Sequence, residues 1–92
     1  MTSNYLDLNK KHIRQSVIYR LRLLGYQIDD GISIRRIQEI VMMIQRDNGL
    51  MMDGYIGVRT MHLLGYSAKE IKKMLKISSS RSSYYPQWLL YF

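Results

Sequence analysis

The chain has no cysteine, and that removes disulfides, thiol catalysis and every zinc site built on sulfur. It has one proline and only six glycines in 92 residues, too few turn-makers for an all-β chain of short strands. Acidic residues are scarce, with 7 Asp+Glu against 14 Lys+Arg and a net charge of +7. No apolar run is long enough to cross a bilayer. The first residues, MTSNYLDLNKKHIRQ, are polar and lack an apolar signal core, so the expectation is a product made in the cytoplasm.

Catalytic apparatus is thin as well. His12 and His62 stand alone, with no His-Glu-x-x-His pattern and no third metal ligand at useful spacing. There is no glycine-rich phosphate loop and no Ser-His-Asp order. The expectation is a non-enzyme without metal or cofactor. A hydrophobic fraction of 47% is enough for one modest core, and the basic excess points to an acidic partner: nucleic acid, an anionic membrane surface or a cell-wall polymer.

What is present reads as helices. Ile13, Val17, Leu21 and Leu24 recur at helical spacing over 9–24, with basic residues between them and Gly25 after them. Ser33 can cap a second helix over 34–47, whose apolar stripe is Ile37, Ile40, Val41 and Ile44. A third, short helix is expected over 58–64, closed by Gly65. Ser67 and Glu70 form a Ser-x-x-Glu capping box that opens a fourth helix to about Lys76, with Ile71, Met74 and Leu75 on its apolar side. The expected organisation is one all-α domain over 1–77, with its core in 9–66 and an added helix over 67–76. A serine-rich link and an aromatic tail then fill 78–92.

The middle of the chain repeats itself. Shifted by 24 residues, GYQIDDGISIRRI from Gly25 aligns with GLMMDGYIGVRTM from Gly49. Gly25 meets Gly49, Asp29 meets Asp53, Ile32 meets Ile56 and Arg35 meets Arg59. Leu-Leu-Gly-Tyr ends both the first and the third expected helix. In each unit the Asp can accept backbone N–H groups in the turn and the Ile can plug the loop into the core.

On these residues, 17–66 resemble the peptidoglycan-binding-domain-like family, a small three-helix fold with two loop-helix repeats. Ile44-Gln45-Arg46-Asp47-Asn48-Gly49-Leu50 fits its middle element, and Asp53-Gly54-Tyr55-Ile56-Gly57-Val58-Arg59-Thr60 its last. The first loop departs, with Asp30 and Ser33 where the family has glycine, and Val58 stands in place of a proline. The resemblance implies that Asp29, Asp53, Gly54, Gly57 and Thr60 are scaffold. It implies a shallow glycan or peptide groove with Tyr55, Arg59, Arg36, Gln45 and His62 as exposed candidates, Tyr55 foremost because an aromatic face can stack on a sugar. The function it implies is non-catalytic binding to peptidoglycan or another anionic wall polymer, reached without secretion if the product is a phage virion or lysis component.

Two other readings stay open. The fold could dock onto a protein partner through the tail, where Tyr84, Tyr85, Trp88, Tyr91 and Phe92 crowd together, although the same tail could close the domain's own core. The stretch LGYSAKEIKKMLKISSSRSSYY resembles a helix-turn-helix DNA-binding segment. There, Lys72 takes the position of the usual small residue, and Pro86 would stop the recognition helix after about two turns.

Overall fold

The computed structural model describes residues 4–79, and these form four α-helices with no strand among them. The helices are α1 (Lys11–Leu23), α2 (Ile34–Asp47), α3 (Val58–Leu63) and α4 (Ala68–Ser79). α4 packs against α3 and α1, and α2 packs against α3. The resulting core takes Ile13, Val17, Ile18 and Leu21 from α1, and Ile37, Ile40, Val41 and Ile44 from α2. Met61 comes from α3, and Ile71, Met74 and Ile77 from α4, while Ile28 and Ile56 plug in from the loops.

Three helices stop by one device. Gly25, Gly49 and Gly65 have φ of 100°, 73° and 90°, a region that costs side-chain-bearing residues roughly 1–2 kcal/mol. At each, the glycine N–H reaches back to the helix (Arg22, Arg46, His62), and the next residue's N–H reaches one carbonyl earlier (Leu21, Gln45, Met61). That double closure is the Schellman motif, which satisfies carbonyls a helix end would otherwise leave bare. Helix starts are handled differently. The Ser33 hydroxyl accepts from the Arg36 N–H of α2, and Ser67 and Glu70 of α4 exchange both bonds of the expected capping box.

Several boundaries move from the sequence expectation. α1 begins at Lys11 rather than Asn9, and Leu24, expected on its apolar side, is 48% exposed beyond the helix end. Ile18 takes its place in the core. α4 runs past Lys76 to Ser79, with Ile77 and Ser78 buried, so the serine-rich stretch starts inside the helix. The reason lies at the other end of the chain. The Ser78 hydroxyl accepts the Asp7 N–H at 2.7 Å and donates to the Tyr5 carbonyl at 3.4 Å, while Leu6 and Leu8 are buried beside it. Lys10 Nζ also donates to the Ile77 carbonyl near the C-terminus of α4. The core therefore extends from Leu6 to Ile77 rather than over 9–66.

Arg20, one of the basic residues between the apolar positions of α1, binds Glu70 of α4. Its guanidinium lies 4.6 Å from the centroid of the buried Tyr66 ring, pairs with Glu70, and donates to the Gly65 carbonyl. The Ser67 backbone N–H bonded to Glu70 holds that carboxyl below the ordinary carboxylate range, and the Arg20 charge works in the same direction. Burial pushes the Tyr66 phenol up from 10.0 to about 12, although its bond to Ser16 Oγ at 2.7 Å and the Arg20 charge act the other way.

The sign for Tyr66 is that of a raised folded-state pKa. Its contribution is complete below pH 10.0 and is lost as the pH climbs towards about 12. Urea unfolding followed across that window is expected to show wild type losing roughly 2–3 kcal/mol more than Tyr66→Phe. Parallel profiles for the two proteins would contradict this account of the α1–α4 contact.

Candidate functional site

The loop from Leu50 to Gly57 is the part of the fold that the sequence motif singles out. It is built around Gln45, near the end of α2, whose side chain is buried with the residue only 2% exposed. Its carboxamide oxygen accepts the Gly54 N–H at 3.0 Å. Its nitrogen faces three acceptors: the Tyr55 carbonyl at 2.9 Å, Thr60 Oγ1 at 3.0 Å and Asp53 Oδ1 at 3.1 Å. One side chain thus ties α2 to the loop and to the first turn of α3. Asp53 Oδ1 also accepts the Tyr55 N–H at 2.9 Å, closing an Asx turn within the loop.

This overturns the reading of Gln45 as an exposed ligand contact. A carboxamide buried to 2% exposure and bonded to the protein through both its oxygen and its nitrogen is out of a ligand's reach. Asp53, Gly54 and Thr60 each hold one bond of the Gln45 network. Gly54 has φ 74°, and a Cβ there would sit 3.3 Å from Met42 Cγ. At Gly57 the constraint is space rather than backbone angle: its φ is −91°, and a Cβ would sit 3.3 Å from the Tyr5 ring, which would have to give by a few tenths of an ångström.

Asp29 does not repeat the part of Asp53. Its side chain is exposed and takes no hydrogen bond among the described residues, while its carbonyl accepts the Ile32 N–H. The residue 24 positions before Gln45 is Leu21, a core aliphatic, so the first loop has no buried carboxamide to organise it. Arg22 holds that loop instead, donating to the Ile28 carbonyl at 2.9 and 2.6 Å and to Asp30 at 2.9 Å.

Three more of the candidates are exposed. Tyr55 is 56% exposed at the loop tip, and Arg59 and His62 follow at i, i+3 spacing on the solvent side of α3. Arg36 is also exposed, near the start of α2, and is engaged with a neighbour on that helix. It pairs with Glu39 at 3.2 Å. Sequence reasoning missed Tyr5. Its ring is 48% exposed and packs 5.4 Å from Tyr55, centroid to centroid, at a 45° tilt. The Leu6 N–H bond to the Ile56 carbonyl holds it there at 3.0 Å. Only a polar N-terminus containing a lone apolar pair, Leu6 and Leu8 at strand-like spacing, could have hinted that this segment packs on the domain.

Tyr84, Tyr85, Trp88, Tyr91 and Phe92 lie outside the described residues. Among the described residues no group of three His, Asp or Glu side chains could hold a metal ion, and no helix is long and apolar enough to cross a membrane. Compared with protein-family models, curated proteins and solved structures, the chain gives no match.

Replacing the carboxamide tests this construction. Gln45→Leu keeps the volume but orphans the Gly54 N–H, the Tyr55 carbonyl and the Thr60 hydroxyl. The expected loss is on the order of 3 kcal/mol or more by chemical denaturation. Thr60→Val, which removes one partner of the network, should cost about 1 kcal/mol. A Gln45→Leu protein as stable as wild type would show that the network is dispensable.

Proposed function

We propose that this chain is a non-catalytic binding module for cell-wall glycan, with Tyr5 and Tyr55 as its stacking platform. The observation that carries the reading is the exposed ring pair with centroids 5.4 Å apart. Two tilted aromatic faces beside each other suit the C–H faces of a saccharide, which stack on rings while their hydroxyls stay hydrated. Rigid rings also lose little entropy on binding, and the Gln45 network fixes the Tyr55 backbone beforehand. Arg59 and His62, exposed on the adjoining turn, supply donors suited to the carboxylates of a peptidoglycan stem. The family resemblance of residues 17–66 supports the same class of ligand. Delivery as a phage virion or lysis component would bring such a module to the wall without secretion.

A second reading, docking onto a protein partner, draws on the same neighbourhood. Met51 is 80% exposed, and Met52 and Val58 are exposed nearby in sequence, giving the loop apolar side chains that no sugar needs. The helix-turn-helix reading is weakened by α4 itself, which stays helical through Ile77 and Ser78, where that motif requires its turn.

Co-sedimentation with purified peptidoglycan sacculi separates the first two. The expected result is depletion that survives high salt and falls at least tenfold in Tyr5→Ala and in Tyr55→Ala. Absence of depletion, or depletion confined to low salt, would overturn the glycan reading, because exposed charge alone is screened within about a Debye length of 8–10 Å.

A further inference from the structure

Four of the chain's six lysines lie on one helix, at Lys69, Lys72, Lys73 and Lys76. Their spacing is i, i+3, i+4 and i+7, which stacks them on one face of α4 over about 10 Å. The opposite face, Ile71, Met74, Ile77 and Ser78, is buried in the domain. Lys69, Lys72 and Lys76 are exposed, and Lys73 is half-buried at the margin of the stripe.

Among the described residues no acidic side chain pairs with Lys69, Lys72 or Lys76. Glu70, the one acid on α4, is turned aside to Arg20 and the Ser67 N–H. Arg20, Arg22, Arg36 and Arg46 take up Glu70, Asp30, Glu39 and Asp47. Residues 80–92 add Arg81 and no Asp or Glu. Like charges at i, i+3 and i+4 repel by a few tenths of a kcal/mol each, so the stripe is a feature that folding alone disfavours.

The shape of the stripe narrows the anion. An anionic membrane surface is met by helices that bury an apolar face in the lipid, and α4 has already spent its apolar face on the core. None of the exposed large hydrophobic residues belongs to α4. Single-stranded nucleic acid is gripped by aromatic side chains on which bases stack, and the α4 sequence AKEIKKMLKISS contains none. Flexible point charges in a straight row, without groups that read base edges, fit the regularly spaced phosphates of a duplex. We infer that the solvent face of α4 is a docking surface for the phosphate backbone of duplex nucleic acid, bound without regard to sequence. It uses residues separate from the Tyr5–Tyr55 face and stands whether or not that face takes glycan.

The test is fluorescence anisotropy of the full chain with a short labelled duplex of mixed sequence, at a series of salt concentrations from about 50 to 200 mM. Each phosphate neutralised contributes about −0.9 to the slope of log affinity against log salt, so removing three lysine contacts should flatten the slope by about 2.7. The triple variant Lys69→Gln, Lys72→Gln, Lys76→Gln is therefore expected to bind at least tenfold more weakly at the lowest salt, with an unchanged circular dichroism spectrum. A charge-matched control, Lys11→Gln, Arg35→Gln, Arg46→Gln, removes three exposed cations from α1 and α2 and is expected to keep the wild-type slope. Equal losses in both triple variants would overturn the assignment to α4, because net charge alone would then account for binding. No binding at the lowest salt would overturn it outright, as would tighter binding to phosphatidylserine vesicles than to the duplex.

Discussion

A single buried carboxamide governs the most structured loop of this protein. Gln45 is surrounded by the Gly54 N–H, the Tyr55 carbonyl, Thr60 and Asp53, and every one of those contacts lies within 3.1 Å. Buried polar groups are expensive when unpaired and specific when fully paired, because only one arrangement of the surrounding chain satisfies them all. Here that arrangement sets the angle at which the loop leaves α2, the start of α3 and the outward position of Tyr55. Among the described residues no buried side-chain nitrogen or oxygen lacks a partner, consistent with a network closed on itself.

The N-terminal segment depends on what Gln45 has arranged. Its Leu6 N–H reaches the Ile56 carbonyl, and its Tyr5 ring fits over Gly57 and beside Tyr55. The same segment then meets Ser78 at the end of α4, joining the loop to the last helix. The basic residues fall into two sets, some bonded across the fold and others facing solvent. Arginines with planar, multi-donor heads act as struts: Arg14 to the Leu8 carbonyl, Arg20 to Glu70 and Gly65, and Arg22 to Ile28 and Asp30. The lysines of α4 mostly face solvent. A net charge of +7 therefore contains two populations, one structural and one presented to whatever the protein meets.

Helices were the legible part. The stripe Ile37, Ile40, Val41, Ile44 and the glycines at 25, 49 and 65 carry their meaning locally, through period and backbone conformation, so α2 and three helix ends could be read directly. The capping box at Ser67 and Glu70 is local in the same sense. Contacts between distant residues were not legible. Asp7 with Ser78 is 71 positions apart, and nothing in either neighbourhood announces the other. Gln45 misled because glutamine is usually exposed, and its burial follows from partners up to 15 positions away. Asp29 misled because its alignment with Asp53 holds while Leu21 stands opposite Gln45, so the letter is repeated without its partner.

Amide hydrogen exchange at Gly54, resolved by NMR, tests the central claim most directly. The N–H donates to a buried oxygen inside a closed network, so its exchange should require opening of the domain and proceed at rates near those of the core amides of α2. Exchange as fast as that of an open surface loop would mean that Gln45 does not hold the loop, and the platform built on it would fall with it.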